Sequence, residues 1–267
     1  MIPAVNLTNF ILVLSCFFLL MACRKPDLNI EGLPTVVLPP QGYTLAWEDE
    51  FDKALLDSTK WSFRQLGRRR SGFNTRECII PNEERGTLTI RTFLRNDSIF
   101  TGMIGTQEKF EQQYGYFECS ARISQIAYGY WAAFWLQSPD IGKTLNPEVD
   151  GVEIDIMEFV HGYPYQVSQA IHWNGYAQNH MMSSNNILSD SRFDGAQYHL
   201  YSMEWTPDYY RFFVDRRMVW EVRGPISHRE QYMILSCEVG DRLPFINTFG
   251  NTPVDFEIDY VRVYKKE

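Results

Sequence analysis

The sequence lacks the features that identify several common enzyme classes. It contains no convincing amphipathic helix of ten or more residues from Tyr43 onward, no serine-triad elbow, no phosphate-binding loop and no dinucleotide-binding fingerprint. These absences argue against α/β hydrolases, nucleotide-binding proteins and dehydrogenases. What is present is a chain of 267 residues that is 45% apolar and 15% aromatic, enough to form the core of one large all-β domain.

Cysteine and histidine are both scarce, with five of each. Cys16 lies in an N-terminal apolar run and Cys23 follows that run, which leaves an odd number of cysteines and no inferable disulfide framework. Cys119 lies in an alternating apolar segment, as expected of a small core residue. Because no second histidine or cysteine stands at ligand spacing from His172, a zinc site is not expected.

Basic residues are outnumbered, since 25 Lys and Arg face 33 Asp and Glu and give a formal net charge of −8. A chain with this balance repels phosphate backbones, so we expect no nucleic-acid partner. The exception is the local cluster Arg68-Arg69-Arg70, with Arg64 and Arg76 nearby. Such a cluster is most often a solvated loop, but beside a cleft it could contact acidic or sulfated sugars.

Charged side chains are missing from residues 1–22, which include an apolar run over residues 10–20. The run is short for a bilayer span and has the length of the apolar region of a signal peptide. Leu20-Met21-Ala22-Cys23 resembles the bacterial lipoprotein processing box, in which Cys23 would be lipidated and become the first residue. Because no Lys or Arg precedes the run, an uncleaved anchor is the alternative. Both alternatives predict an exported, membrane-anchored protein.

The composition divides the remaining chain in two. Residues 23–42 are rich in proline and glycine and show little periodicity, so they predict a tether. Residues 43–267 show short runs of β-forming residues with a period of two, and Tyr210–Val214 and Met218–Trp220 flank a turn as a hairpin would. Many short strands without interleaved helices predict an all-β, two-sheet antiparallel β-sandwich or jelly roll.

One short stretch, residues 152–159, contains three carboxylates among apolar residues that are mostly β-branched. In a strand, Glu153 and Asp155 share one face, because side chains alternate between the two faces. Strict alternation would bury Glu158 on the apolar face, at a cost of several kcal/mol unless it were paired. A β-bulge near Ile156-Met157 would return Glu158 to the face of the other two carboxylates.

A row of carboxylates suits glycoside hydrolysis by the retaining route, in which two carboxyl groups ~5–5.5 Å apart act as nucleophile and as acid/base. Like charges this close cannot all be ionised, so one carboxyl keeps a proton that it can donate. The alternative is an ordinary half-buried strand with an acidic, solvated face.

Aromatic residues flank the acidic stretch on both sides. The residues that precede it are Tyr128, Tyr130, Trp131, Phe134 and Trp135, and those that follow it are Trp173 and Tyr176. Some of these rings could stack on sugar rings, although most such residues are core residues. Trp131 and Trp135 share a face of a regular strand, which favours a sugar platform beside the carboxylates. His172 is expected either to form hydrogen bonds in the cleft or to be structural.

These motifs resemble those of glycoside hydrolase family 16, in its laminarinase-like form with a bulged active-site strand. The resemblance runs from about Tyr43 to the end of the chain, and its marks are residues 153–158, 130–135, 47–51, 114–118, 204–208 and 258–264. It implies a concanavalin A-like jelly roll with a concave cleft. It also implies retaining endo-hydrolysis of a β-linked glycan, with Glu153 as nucleophile, Glu158 as acid/base and Asp155 between them.

The resemblance also implies which residues read the substrate. Trp131, Trp135 and His172 match positions that line the cleft, and we expect Tyr130 and Trp173 to join them. The expected substrate is a β-1,3-glucan or a mixed β-1,3/1,4-glucan. The alternatives are an agar- or porphyran-type galactan, a host mucin glycan, or a sugar-binding module without catalysis. Trp-Ala stands at residues 131–132 where laminarinase-like members have Trp-Pro. The resemblance therefore constrains the substrate less than it constrains the fold and the reaction.

No cofactor is expected for the chemistry, and we expect a monomer. The resemblance allows a structural calcium on the convex side of the domain, with oxygen ligands from Asp259, Glu50 and the Gly86 carbonyl. A surface aspartate in a final strand is the alternative explanation of Asp259.

Overall fold

The computed structural model describes residues 28–267. The predicted signal peptide, residues 1–22, and the predicted lipidation site Cys23 lie outside these residues. The described chain forms two β-sheets that pack face to face, with very little helix. The predicted all-β sandwich with the jelly-roll architecture is therefore confirmed.

The first sheet has eight strands and contains the acidic stretch. Its spatial order is β1 (Leu28–Asn29), β14 (Met181–Leu188), β13 (Gln166–Trp173), β12 (Glu153–Glu158), β11 (Tyr130–Gln137), β18 (Tyr232–Val239), β9 (Met103–Gly105) and β3 (Ser62–Phe63). Neighbouring strands are antiparallel except for β1 and β14, which are parallel.

The second sheet has eleven strands and forms the convex side of the domain. Nine of them follow one path, which is β17 (Arg217–Val222), β16 (Tyr210–Val214), β15 (His199–Trp205), β10 (Gly115–Ile123), β19 (Val254–Lys266), β7 (Thr87–Arg95), β8 (Ser98–Thr101), β5 (Gly72–Asn74) and β4 (Gly67–Arg69). The last two strands lie off this path, with β2 (Tyr43–Asp49) on β19 and β6 (Ile79–Asn82) on β7.

Helical structure in the described chain is limited to short connections. A 3₁₀ turn spans Arg76–Cys78, α1 spans Pro147–Asp150 and α2 spans Arg242–Phe249. Asp241 caps the first turn of α2 by accepting a hydrogen bond from the backbone N–H of Leu243. Neither helix has the length and apolarity needed to cross a bilayer within the described residues.

The core lies between the sheets and follows the alternation of the strands. Ile154 and Ile156 of β12 and Phe117 and Cys119 of β10 are fully buried in it. Burying a large apolar side chain contributes about 1.5–3 kcal/mol, so these positions fix which face of each strand turns inward. The carboxylates of β12 therefore lie on the opposite face, which is the concave side of the first sheet.

Residues 28–42, the described part of the predicted tether, contact the domain at several points. The two residues of β1 pair with β14, and Ile30 is only 3% exposed. The backbone N–H of Val36 also donates to the carbonyl of Arg216 at 2.8 Å. Ile30 and Leu33 pack on the core, and backbone contacts join this segment to the edge strands of both sheets, which proline and glycine content alone does not reveal.

Candidate active site

A β-bulge in β12 brings the three carboxylates together. Against β11, Trp135 lies opposite Asp155 and Phe134 lies opposite Met157, so Ile156 is the extra residue. The register against β13 shifts between Asp155 and Glu158 as well. The bulge predicted near residues 156–157 is thus confirmed, and Glu158 returns to the concave face.

The three carboxylates line one cavity of about 1000 Å³ on the concave face. Its floor crosses five neighbouring strands, from β14 through β13, β12 and β11 to β18. The aromatic and polar side chains beside the carboxylates include Trp131, Trp135, Gln137, His172, Tyr176, His180, Ser236 and Glu238. The predicted cleft residues Trp131, Trp135 and His172 therefore lie where they were expected.

Glu158 is 9% exposed and accepts a hydrogen bond from the indole Nε1 of Trp131 at 2.8 Å. Burial raises the pKa of Glu158 well above its usual value, and the charge of Asp155 raises it further. The Trp131 hydrogen bond acts in the opposite direction and lowers this pKa, because it stabilises the ionised form. A raised pKa favours the protonated form of this carboxyl, which can then donate its proton.

Glu153 and Asp155 share the neighbouring part of the cavity. Burial raises the pKa of Glu153, and a hydrogen bond donated by the Tyr176 hydroxyl lowers it again. Asp155 is only 3% exposed, so burial and then the charge of Glu153 raise the pKa of Asp155 well above its usual range. The Nε2 atom of His172 lies 3.2 Å from the Asp155 carboxylate. The pair can hold one proton on Asp155 and leave Glu153 ionised.

His172 has a second histidine beside it, which the sequence did not point to. The Nδ1 atom of His172 lies 2.9 Å from Nε2 of His180, and the two rings are stacked at 5.1 Å. Among the described residues, one group of three side chains offers metal-ligand atoms within 4.8 Å of one another, namely Glu153, Asp155 and His172. This group coincides with the carboxylates that the proposed chemistry uses.

Two residues of the arginine cluster reach the cavity, on the hairpin formed by β4 and β5. Arg69 and Arg70 each donate from Nε to one oxygen of the Glu238 carboxylate, which is buried. The Arg70 guanidinium also lies 4.3 Å from the centre of the Trp131 ring. Arg68 instead lies over Phe73, 5.7 Å from its ring centre. Arg69 and Arg70 therefore line the cleft, so the arginine cluster is not simply a solvated loop.

Two predicted substrate-binding residues do not line the cavity. Tyr130 is fully buried in the core, where its hydroxyl lies 3.1 Å from Sγ of Cys237. Trp173 is half-buried and packs against the main core. Both predictions are wrong for the same reason: each residue is adjacent to a cleft residue, Trp131 or His172, and alternation turns it to the other face.

The residues predicted to bind calcium lie away from the cavity. The Glu50 carboxylate accepts two hydrogen bonds from Arg262, at 2.7 and 2.9 Å, and Asp259 accepts one from Ser120 at 3.2 Å. A Cβ atom added to Gly86 would stand 3.4 Å from the Glu50 carbonyl oxygen. A calcium at this place would therefore be held by carbonyl oxygens and Asp259, because the Glu50 carboxylate is already paired. The calcium site stays a prediction.

Comparison with known proteins identifies the family. The model of Glycosyl hydrolases family 16 matches residues 72–236. The beta-glucanase of Rhodothermus marinus is 31% identical over 260 residues, covering 84% of this chain and 85% of that protein. The keratan-sulfate endo-1,4-beta-galactosidase of Sphingobacterium multivorum is 28% identical over 258 residues, covering 90% of this chain. This chain spans 60% of the length of that galactosidase.

The fold of a solved relative agrees with this assignment. The laminarinase from Flavobacterium sp. superimposes with a TM-score of 0.67 at 27% sequence identity, covering 83% of this chain and 100% of that chain. The family match includes the bulged strand β12 and the strands on both sides of it. The chain therefore belongs to glycosyl hydrolases family 16.

Proposed function

We propose that the chain is a retaining endo-β-glycosidase that cleaves internal β-1,3 or mixed β-1,3/1,4 linkages of a glucan. The observation that carries the proposal is the bulge at Ile156, which puts Glu153, Asp155 and Glu158 on one face of a cleft. The relatives with matching sequence or fold include a beta-glucanase and a laminarinase, which supports a neutral glucan as the first choice.

The proposal gives each carboxyl a role. Glu153 attacks the anomeric carbon while Glu158 gives its proton to the departing glycosidic oxygen, and the bond between sugar and leaving group breaks. In the second step, Glu158 takes a proton from water, the oxygen of that water attacks the same carbon, and the bond to Glu153 breaks. The proton on Asp155 lets Glu153 be charged in the first step without two adjacent carboxylates both being ionised.

The shape of the cavity supports cleavage within a chain. Five neighbouring strands spaced ~4.8 Å apart give a floor roughly 20 Å across, which is long enough for several sugar rings. Exposed Met182 lines this floor on β14, and Arg70 lies at the opposite end. An enzyme of this shape should release oligosaccharides and not single sugars.

Two substitutions test the roles. Glu153→Gln should remove nearly all turnover while the protein stays folded and still binds its glycan, because the attacking oxygen is lost and the shape is kept. Glu158→Ala should lose activity on polymer and regain part of it with azide and an aryl glycoside, whose good leaving group needs no acid. Glu84→Gln, on an exposed turn far from the cleft, is the matched control. Normal activity of Glu158→Ala on polymer would contradict the assignment.

An anionic galactan is the second candidate, because Arg69 and Arg70 line the cavity. Each binds Glu238 through Nε, so the terminal guanidinium nitrogens are not used in that contact and suit bidentate binding of sulfate or carboxylate. The keratan-sulfate relative supports this choice. The purified protein should be incubated with laminarin, mixed-linkage glucan, a sulfated β-galactan and mucin glycans, and the products separated by chromatography.

The outcomes of that assay separate the candidates. Cleavage of laminarin or mixed-linkage glucan, insensitive to salt, supports the glucan. Cleavage only of the sulfated or sialylated chains, weakening as salt rises, supports the galactan, because surface charge attraction is screened. Binding without any product would favour a sugar-binding module instead.

For location, we propose an exported lipoprotein anchored through Cys23, on the basis of the apolar run and the small residue before the cysteine. Cys23→Ala should convert a protein that partitions into detergent into a soluble exported form or an unprocessed precursor, because the acyl chains contribute ~0.8 kcal/mol per buried methylene. Unchanged partitioning would contradict the anchor.

A further inference from the structure

One loop, residues 174–180 between β13 and β14, contacts the catalytic centre at two points. The Tyr176 hydroxyl donates a hydrogen bond to Glu153, and His180 stacks on His172 at the end of the loop. The loop is packed closely against its neighbour at Gly142, where an added Cβ would stand 2.5 Å from the Cα of residue 175. Its position over the cleft is therefore fixed by backbone contact as well as by side chains.

Tyr176 is the last donor in a chain of hydrogen bonds that crosses the cleft wall. Arg64 donates to the Tyr232 hydroxyl at 3.1 Å, and Tyr232 donates to Oε1 of Gln137 at 2.6 Å. The Gln137 amide nitrogen then donates to the Tyr176 hydroxyl at 2.5 Å, and that hydroxyl donates to Glu153. The chain starts at a cation and ends at a carboxylate, so every donor points toward Glu153.

We propose that Tyr176 is a positioning residue for the nucleophile, whose hydroxyl holds the Glu153 carboxylate in the orientation for attack. This inference rests on the proposed function of Glu153. The Gln137 amide lies 3.4 Å from the same carboxylate oxygen, which leaves the other oxygen free to attack. A tyrosine in a short exposed loop can do this because Gln137 fixes its hydroxyl and the packing at Gly142 fixes its backbone.

The same contact decides where the shared proton lies. A hydrogen bond donated to an ionised carboxylate stabilises the ionised form and lowers its pKa. Tyr176 does this for Glu153, whereas Asp155, which is more deeply buried, has its pKa raised by the charge of Glu153. The other charged or titratable groups that act on Glu153 are His172, Arg69, Glu238, Glu158 and Tyr232. The hydrogen bond from Tyr176 therefore favours the state in which Asp155 carries the shared proton and Glu153 is ionised.

The first test measures ionisation without any substrate. In full-length protein carrying ¹³C-carboxyl glutamate, the Glu153 signal is assigned by its loss in Glu153→Gln and followed by NMR through a pH titration. Tyr176→Phe should raise the titration midpoint of Glu153 by about one pH unit, because a hydrogen bond to a charged group is lost. Gln137→Met should shift it in the same direction by a smaller amount. This readout stands even if the chain cleaves no glycan.

The second test uses turnover of an activated aryl β-glycoside, for which Glu153 alone limits the acidic side of the pH profile. Tyr176→Phe should lower kcat roughly ten- to hundredfold, leave KM nearly unchanged and move the acidic limb to higher pH. Tyr163→Phe is the matched control, since this tyrosine is exposed, lies beside Tyr165 and does not line the cavity. It should leave both the profile and kcat unchanged.

Clear results would overturn the inference. An unchanged Glu153 midpoint in both Tyr176→Phe and Gln137→Met would show that the hydrogen-bond chain does not act on the nucleophile. A rise in KM with kcat and the pH profile intact would make Tyr176 a sugar contact and not a positioning residue. By contrast, wild-type protein that cleaves no glycan while the midpoint still shifts would overturn the proposed function and leave the positioning contact standing.

Discussion

The indole nitrogen of Trp131 lies 2.8 Å from a carboxylate oxygen of Glu158. Trp131, which the sequence predicts to be a flat sugar platform, is thus bound to the proposed acid/base, and the Arg70 guanidinium covers one face of its ring. Trp131 therefore couples the cleft wall to the chemistry, and substituting it should change proton transfer as well as sugar binding.

Trp131→Phe should move the basic limb of the pH profile of kcat/KM to higher pH. The indole donates to ionised Glu158 and lowers its pKa, so removing the donor raises that pKa and keeps the proton on Glu158 at higher pH. The measurement is kcat/KM on a soluble oligosaccharide across the pH range. Trp135→Phe is the matched comparison, because its indole donates to Ser236 at 3.1 Å and not to a carboxylate. An equal shift in both variants would contradict the prediction.

Glu158→Gln should make the folded protein more stable at pH 8. Because burial raises the pKa of Glu158 above its unfolded value, the folded state binds this proton more tightly than the unfolded chain. Stability from this group is therefore present at low pH and is lost as the pH rises through the folded pKa. The substitution should add about 1–3 kcal/mol to the free energy of unfolding at pH 8, and less near pH 4. Urea unfolding at both pH values tests this, with Glu84→Gln as control.

Replacing both Arg69 and Arg70 of the hairpin should destabilise the protein, because the buried Glu238 carboxylate would lose its two cationic partners. Arg69→Gln with Arg70→Gln leaves the buried Glu238 carboxylate without these partners, which should cost roughly 3–5 kcal/mol. Adding Glu238→Gln should restore most of that loss, because an amide does not need a counter-ion. Thermal unfolding of the double and triple variants shows the difference. A triple variant no more stable than the double would mean that the arginines stabilise the hairpin in another way.

Calcium should raise the melting temperature without moving the pH profile of activity. Of the predicted ligands, Asp259 lies on β19 of the second sheet, Glu50 directly follows β2 and Gly86 directly precedes β7, and none of them lines the cavity that holds the carboxylates of β12. Removing the ion with a chelator should therefore affect unfolding and not proton transfer. Asp259→Asn should abolish the effect of calcium. A melting temperature that does not respond to calcium or to the chelator would contradict the site.

Alternation alone was sufficient to predict the central strand. Glu158 is out of phase with Glu153 and Asp155, so the cost of burying its charge required a bulge, and the bulge lies at Ile156. The same rule, applied to the flanking strands, would have excluded Tyr130 and Trp173 from the cleft. Their misassignment came from treating an aromatic cluster as a unit instead of following the face of each residue.

The rest of the site could not be read from sequence because it depends on contacts between distant segments. Glu238 reaches the cavity only because β18 pairs with β11, and its partner Arg69 lies 169 residues earlier in the chain. Tyr176 was one of the aromatic residues expected beside the acidic stretch, but its hydrogen bond to Glu153 could not be predicted, because Tyr176 and His180 belong to a loop without periodicity. The docking of Ile30 likewise depends on the exposed edge of β14, which exists only once the sheet has formed.

The bulge has a consequence for how this strand can change over evolution. If the codon for Met157 were lost, the strand would read Glu-Ile-Asp-Ile-Glu, and simple alternation would keep all three carboxylates on the same face. Phe159 would still point into the core, so the register beyond the strand would be preserved. Bulged and regular versions of this strand are therefore one insertion or deletion apart, with no intermediate in which the acid/base carboxylate is buried among the apolar residues.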